Sequence, residues 1–297
     1  LSLLAFSTST YIIITGGSAA VMRASVMIII YYVGKYWADR VDSYNVLSMT
    51  AFFLMLYDPY MIFQASFQFS FLALLSILYF YKPIYEWLFN HIEINSRLIN
   101  YMWQMIALSM SAQILVAPLT IYYFHKFPTY FWLSGIVAVP AAYCVLVLGI
   151  LMIIIEYILP FANEIIEILL TSIFEIFIYS IQTIEHLPLA TIDNLWLYIH
   201  ELLLLYISLC LFLAARHALK ANYILASLTV FMIFTMSRYH YTNESETQAA
   251  VTIYDNYKGH IIDFYDGRTC YSICSEQLAE KTIEFITSNN RVNRKIT

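Results

Sequence analysis

The side chains that could do chemistry are scattered along this sequence rather than grouped. Seven histidines stand at positions 91, 125, 186, 200, 217, 240 and 260, without an H-x-H or H-E-x-x-H pattern, and the four cysteines are not at zinc-ligand spacing. The sequence also contains no G-x-x-x-x-G-K-[ST] loop, no G-x-S-x-G elbow and no glycine-rich nucleotide fingerprint. We therefore expect no metal, no cofactor, no ATP hydrolysis and no enzymatic activity.

Polar groups inside apolar runs are the remaining candidates for function. An ionisable group in hydrocarbon costs about 2.5 to 3.5 kcal/mol, so it usually faces protein or water. Arg23 lies near the start of its predicted helix, where it could face a cavity or reach the lipid headgroups. Gln64 and Gln68 are one helical turn apart, as are Ser109 and Gln113, so each pair is expected to share a face. Hydrogen bonds between helices and a polar pore lining both explain such pairs.

These residues are carried by a chain whose composition is typical of a membrane protein. Of its 297 residues, 61% are hydrophobic and 12% are charged, about half the charged share of soluble proteins. The mean hydropathy is +0.69, which excludes a water-soluble fold. The net charge of −5 provides no general basic field for nucleic acid. Any interaction with DNA must therefore depend on local features.

Hydropathy predicts an all-α polytopic membrane bundle of about nine spans. The nine apolar runs cover residues 1–15, 18–33, 44–57, 67–81, 99–124, 130–159, 161–187, 199–215 and 223–236. Pro118 and Pro140 lie inside long runs, where each removes a backbone donor and is expected to kink its helix. The run 161–187 carries a stripe of glutamates and could instead lie flat on the membrane surface.

The last part of the chain is more polar and is predicted to form a small α+β tail. We place the boundary between a transmembrane domain at residues 1–238 and a tail at residues 239–297. Two short strands are predicted at 251–254 and 260–264 around a turn, with a helix near 275–286. Fewer than about 60 residues bury little core, so this unit is expected to lean on the membrane bundle.

Several short motifs follow one another in a recognisable order. They are T-G-G-S at 15–18, R-A at 23–24, D-P at 58–59, F-Q-F-S-F-L-A at 67–73, A-P-L at 117–119, L-S-G at 133–135 and L-P-L-A at 187–190. In order and spacing, residues 1–238 resemble the ComEC-type competence proteins, which are inner-membrane channels for DNA uptake.

This resemblance implies a multi-pass channel in the inner (plasma) membrane that passes single-stranded DNA to the cytoplasm during natural transformation. The implied partners are single-stranded DNA, the DNA-uptake and cytoplasmic translocation machinery, and the lipid bilayer, with a homo-oligomer left open. The candidate residues for a DNA path are Arg23, Gln64, Gln68, Ser70, Gln113 and Tyr122. Two alternatives are a secondary transporter of a small solute and a membrane scaffold that binds partners through its tail.

The sequence also departs from this family. The upstream helices and an N-terminal OB-like domain have no counterpart here, so we expect a fragment, and Gly135 stands where the family usually has asparagine. Many members continue into a metallo-β-lactamase-like domain that opens with L-D-V-G-Q-G-D. Residues 254–260 keep only Asp255 and Gly259 of that opening, and no H-x-H-x-D-H follows. The tail is therefore expected to be a degenerate, metal-free start of that domain, without nuclease activity.

The distribution of basic residues predicts the topology of the nine-span arrangement. The positive-inside rule places Lys35, Arg40, Arg216 and Lys220 in the cytoplasm and the tail outside it. Cysteines introduced at Ser43 and Asn243 should therefore react with a membrane-impermeant thiol reagent from opposite sides. Equal reactivity from one side would contradict nine spans.

Overall fold

A computed structural model describes residues 10, 16, 18–37, 40–89, 96–158, 163–218, 220–247, 249–256, 259–266, 269–274, 283, 286–287 and 290–291. The helices within these residues are α1 (Ala19–Trp37), α2 (Ser43–Tyr57), a 3-10 helix (Pro59–Phe63), α3 (Ala65–Phe89), α4 (Arg97–Phe124), α5 (Phe131–Ile158), α6 (Asn163–Glu185), α7 (Ile199–Ala218) and α8 (Ala221–Thr247). The strands are β1 (Phe127–Pro128), β2 (Thr191–Ile192), β3 (Ala249–Asn256), β4 (Gly259–Asp266) and β5 (Thr269–Cys274). The predicted helical architecture with a small strand-containing tail is confirmed.

The predicted number of membrane spans is not supported. In the described part of the chain, four helical stretches are long and apolar enough to cross a membrane: Ala65–Trp87, Arg97–Phe124, Phe131–Ile153 and Ile199–Arg216. Helix α2 has 15 residues, about 22 Å, which is short of a hydrocarbon core of about 30 Å. Helix α6 is interrupted by four glutamates, and the last part of α8 is polar. Four crossings would leave Ser43 and Asn243 on the same side, so the labelling experiment separates the two counts.

The chain divides into two compact units, which are described separately below. The first unit is formed by Leu1–Ala117 with Pro128–Thr191, and the second by Pro118–Phe127 with Ile192–Thr297. The predicted boundary at residue 238 falls inside α8, which continues to Thr247. Apart from Thr10, the run predicted at 1–15 lies outside the described residues.

In the first unit, α1, α2 and α3 pack around a small apolar core. Leu54, Met61 and Phe67 are buried, and the rings of Phe67 and Phe71 stack with their centroids 4.2 Å apart. The chain turns between α2 and α3 at Asp58, whose carboxylate accepts the N–H of Tyr60 at 2.9 Å and caps the 3-10 helix. The D-P motif thus has a clear structural role, because proline is favoured at the first helical position.

Helices α4 and α5 of the first unit approach each other closely at Gly135. A Cβ atom at this position would lie 2.9 Å from the Cβ of Ser109 and would overlap the Ser109 hydroxyl. Small residues allow helix backbones to approach at such crossings. Helix α3 is joined to α4 by Ser76, whose hydroxyl donates to the carbonyl of Ser111 and accepts the N–H of Leu115.

In the second unit, α7 and α8 form a hairpin that a reciprocal serine pair holds together. The Ser208 hydroxyl donates to the Ser227 carbonyl at 3.2 Å, and the Ser227 hydroxyl donates to the Ser208 carbonyl at 2.9 Å. After α8, strands β3, β4 and β5 form an antiparallel meander. The two predicted strands are confirmed as β3 and β4, whereas β5 was not predicted.

Replacement of Gly135 by alanine should destabilise the α4–α5 crossing. The added Cβ meets the Ser109 Cβ, which rotation of the hydroxyl cannot relieve, so we expect a loss of about 1 to 3 kcal/mol. Gly149 in the same helix has open space around its Cα, so Gly149→Ala is the matched control and should be neutral or stabilising. Thermal unfolding in detergent measures both. Equal effects of the two changes would contradict the close packing at Gly135.

Candidate functional site

Four of the six candidate DNA-path residues lie around the first turns of α3 in the first unit. Gln64 precedes the helix with extended backbone, and its carbonyl accepts the N–H groups of Phe67 and Gln68. The Gln68 side chain folds back and donates to the carbonyl of Ile62 at 2.8 Å. The helix begins at Ala65 and Gln64 lies directly before it, so the shared helix face of Gln64 and Gln68 stays a prediction. Ser70 follows within the second turn.

Arg23 of α1 reaches the same part of α3. Its side chain is 8% exposed, and its Nη1 donates to the Oγ of Ser66 at 3.3 Å. Its Nε is buried without a partner, and no carboxylate of a described residue forms an ion pair with it. A buried cation without a counter-charge is costly, so this position favours an anionic ligand or a structural role supported by neighbouring dipoles.

The other candidates lie on α4. Gln113 follows Ser109 by one turn in the first unit, so this predicted pair does share a helix face. Tyr122 belongs to the second unit, where its ring forms an edge contact with Tyr123 at a centroid distance of 5.2 Å. Helix α4 continues through Pro118, and α5 continues through Pro140. A third internal proline, Pro83 in α3, was not singled out from the sequence.

The L-P-L-A motif has a structural role in the first unit. The Thr129 N–H donates to the carbonyl of Ala190 at 3.0 Å, and the Thr129 hydroxyl donates to the carbonyl of Leu189 at 2.5 Å. The Tyr130 hydroxyl donates to the carbonyl of Pro188 at 3.1 Å. The residues that follow α4 are therefore joined to those that follow α6. Leu189 has a φ of +59°, an uncommon conformation for a branched residue, which these bonds hold in place.

The second unit contains a buried charge pair that sequence reasoning missed. Glu201 is fully buried, and its Oε2 accepts the N–H of Tyr198 at 3.0 Å and lies 3.5 Å from Nη1 of Arg238. Arg238 also donates to the carbonyl of Trp196. Glu201 is the third residue of α7, and it accepts the N–H of the residue before the helix, as the glutamate of a capping box does. The sequence signal that could have indicated this pair is the acidic residue Glu201 at the start of an apolar run.

Aromatic rings surround this pair. The His125 ring stacks on Trp196 with centroids 4.1 Å apart and an interplanar angle of 22°. The Tyr198 ring stacks on His200 at 5.6 Å. The His125 Nδ1, the Trp196 Nε1 and the Glu201 Oε1 are buried without partners among the described residues. Three such atoms on neighbouring side chains give this cluster capacity for further hydrogen bonds.

A second buried charge network stabilises the tail sheet. The fully buried carboxylate of Asp263 accepts bonds from Arg291 Nε at 3.1 Å, Arg291 Nη2 at 3.0 Å and the Tyr265 hydroxyl at 3.0 Å. Ser272 donates a further bond at 2.5 Å. Burial alone would raise the pKa of Asp263, but the hydrogen bonds from Arg291, Ser272 and Tyr265 and the Arg291 charge outweigh it and hold the pKa below its usual value.

The described part of the tail was searched for side chains that could hold a metal ion. No group of three or more histidine, cysteine, aspartate or glutamate side chains gathers there or elsewhere among the described residues. Asp255 and Gly259, the two residues shared with the family's L-D-V-G-Q-G-D opening, flank the turn between β3 and β4. Asp263, the buried acid of this sheet, is occupied by Arg291.

Comparison with known proteins adds an independent finding. A sequence model of the family described as Competence protein matches residues 1–219. ComE operon protein 3 of Bacillus subtilis (strain 168) is 28% identical over 117 residues, which cover 39% of this chain and 14% of that protein. The chain therefore aligns with only a small part of this relative's length. No solved structure matches the chain.

The Asp263 network generates a prediction about acid stability. Because the folded-state pKa lies below the unfolded value of about 3.9, the network stabilises the sheet above that pH and loses its effect as the pH falls through the folded pKa. Arg291→Met should destabilise the sheet by about 3 kcal/mol, the lower end for buried pairs, since Arg291 keeps some solvent contact.

Hydrogen exchange of residues 249–274 measures this effect. Lys82→Met is the control, because the Lys82–Glu86 pair is exposed and should contribute almost nothing. Asp263→Asn should remove the dependence of sheet stability on acid. A sheet that exchanges equally in Arg291→Met and in the unmodified protein would contradict a stabilising network.

Proposed function

The chain belongs to the Competence protein family, and from this membership we propose that it forms part of a channel for single-stranded DNA. In this proposal the channel lies in the inner (plasma) membrane, crosses it several times and acts during natural transformation. The observation that carries the proposal is the family match over residues 1–219, which includes all four helical stretches suited to cross a membrane.

The environment of Arg23 supports a path for an anionic polymer. A cation that is buried without a carboxylate partner among the described residues favours phosphate. Arg23 bonds to Ser66 in the first turns of α3, and Gln68 and Ser70 follow in the same two turns. Gln64, Gln113 and Tyr122 complete the proposed set of path residues. Aromatic groups such as Tyr122 stack on bases without regard to sequence, as unselective DNA passage requires.

The proposed channel is passive, and its partners supply the drive. The sequence lacks a nucleotide-binding loop, so we propose that the DNA-uptake and cytoplasmic translocation machinery moves the strand. The glutamates of α6 would repel phosphates, which requires that this face point away from the path. The exposed charges at positions 164, 167, 175 and 185 then lie towards water or headgroups.

We propose no enzymatic role for this chain. Residues 239–297 are interpreted as the degenerate start of a metallo-β-lactamase-like domain, in which the buried acid Asp263 pairs with Arg291 rather than with a metal. Stoichiometric zinc or manganese in the purified protein, or DNA cleavage that a chelator abolishes, would contradict this interpretation.

Deletion of the gene, followed by complementation, tests the proposed function. Cells should still bind labelled DNA at the surface but should not deliver it to the cytoplasm, and transformation should be lost. Loss of uptake of a small solute with unchanged transformation would favour a secondary transporter. Loss of neither would favour a scaffold that binds partners through its tail.

Arg23 provides a residue-level prediction. Arg23→Gln should lower transformation at least about tenfold at unchanged protein abundance, because a buried charge-assisted phosphate bond contributes about 1.5 to 3 kcal/mol. Arg23→Lys should retain part of the activity, since a point charge still attracts phosphate.

Ser66→Ala is the matched control, because it removes the hydrogen-bond partner of Arg23 and leaves the charge. It should leave transformation nearly unchanged if Arg23 acts on DNA. If Arg23 only joins α1 to α3, both Arg23→Gln and Ser66→Ala should reduce membrane abundance, with transformation falling in proportion. That second result would end the phosphate-contact interpretation.

A further inference from the structure

The start of α3 has two backbone donors that no described residue uses. The first four N–H groups of a helix have no partner within that helix. In α3 these groups belong to residues 65–68, and the carbonyl of Gln64 accepts those of Phe67 and Gln68 at 3.0 and 3.1 Å. No hydrogen bond to the N–H of Ala65 or Ser66 is found among the described residues. This helix start is therefore able to donate two further hydrogen bonds.

The two preceding helix starts are each closed by an acid, but this one is not. Asp42 accepts the N–H of Tyr44 at the start of α2, and Asp58 accepts that of Tyr60 at the start of the 3-10 helix. The residue before α3 is Gln64, and the first turn of α3 contains no acidic residue. The positive end of the α3 dipole is therefore not neutralised by a side chain of its own helix.

Arg23 of α1 brings a cation to this helix start. Its Nη1 donates to the Oγ of Ser66 at 3.3 Å, which places the guanidinium at the first turn of α3. The Arg23 side chain is more than nine-tenths buried, and its Nε has no partner among the described residues. Its neighbours Met22 and Val26 pack against the apolar core of the first unit. Such surroundings strengthen the attraction between a cation and an anion, because their effective dielectric constant is low.

We propose that Arg23 and the start of α3 together form an oxyanion site that takes a phosphodiester group. The guanidinium supplies the charge, and the N–H groups of Ala65 and Ser66 donate to the phosphate oxygens. A helix start with free N–H groups and an arginine are both groups that bind phosphate in proteins. This inference deepens the proposed function, and it rests on that function only where the phosphodiester is taken to belong to DNA.

A ligand can reach the site from the side of the helix start. Gln64 and Ser66 are exposed, and Ala65 is half-buried. The Ser66 hydroxyl already accepts from Arg23, so it is not required as a ligand donor, and Ser66→Ala keeps the backbone N–H. Backbone donors and a guanidinium at one phosphate contact no base edge, so the site should bind the backbone of any sequence.

Proline at residue 65 removes one of the proposed donors and is compatible with the fold. Residue 65 is the first of α3, where proline is favoured, and Gln64 already has the extended backbone that a following proline requires (φ −76°, ψ 125°). Ala65→Pro should weaken phosphodiester binding about tenfold without loss of thermal stability. Ser43→Pro is the matched control, because Ser43 is the first residue of α2 and follows the extended Asp42, and it should leave binding unchanged.

Fluorescence anisotropy of a labelled ten-residue oligothymidylate measures binding to the full chain in nanodiscs of a phosphate-free galactolipid. An abasic oligomer with the same number of phosphates should compete with the label. A methylphosphonate oligomer should not compete, because its backbone is uncharged. Arg23→Gln should lower the affinity at least about tenfold, as a lost charge-assisted hydrogen bond does.

A second measurement separates a DNA backbone from a lipid headgroup as the source of the phosphodiester. Native mass spectrometry from phosphatidylglycerol nanodiscs counts the phospholipids that the chain retains. Loss of oligonucleotide binding in both Arg23→Gln and Ala65→Pro assigns the site to DNA. Loss of a retained phospholipid in both, with unchanged oligonucleotide binding, assigns the same site to a lipid headgroup.

The outcomes also separate this site from the proposed channel. If Ala65→Pro changes neither oligonucleotide binding nor lipid retention, the site at the helix start is overturned, even where Arg23→Gln lowers transformation. If both variants lose oligonucleotide binding but transform normally at unchanged abundance, the site stands and its part in the proposed channel fails.

Discussion

The structure depends on one constraint: a chain that is 61% hydrophobic must satisfy its few buried polar groups within itself. Small hydroxyl side chains do this between helices. Ser76 bonds across α3 and α4, and Ser208 and Ser227 exchange bonds between α7 and α8. Thr50 donates to the carbonyl of Val46 one turn earlier. Because apolar side chains pack as well against lipid as against protein, these contacts, with close approach at Gly135, specify which helices pair.

The same constraint explains where charge is found. Glu201 with Arg238 and Asp263 with Arg291 are buried pairs in which each acid also accepts uncharged donors. Arg23 differs, because only Ser66 bonds to it among the described residues and no acid balances it. The contrast separates two charges that are paired with an acid from one that is not, and it is the reason why Arg23 has the leading place in the proposed path.

The sequence predicts the helical architecture well, because long apolar runs have few other solutions, and the two tail strands follow from their β-branched and aromatic residues. The nine predicted spans are not supported among the described residues, because hydropathy does not separate a short or amphipathic helix such as α2 or α6 from a crossing one. Periodicity cannot locate a helix start to within one residue, so the sequence does not show that α3 begins at Ala65, directly after Gln64. The pairs Glu201–Arg238 and Asp263–Arg291 join residues that are 37 and 28 positions apart. A local sequence pattern does not predict contacts between residues so far apart in the chain.

The Asp263–Arg291 bond can form only after the strands of the tail sheet have been synthesised. Arg291 follows Asp263 by 28 residues, so all three strands are complete before the guanidinium that neutralises the buried acid has been made. Until then, burying Asp263 would leave an uncompensated charge inside the sheet. The tail sheet therefore matures only after the preceding helices and strands have been synthesised, and any interaction through the tail begins only when synthesis of the chain has passed Arg291.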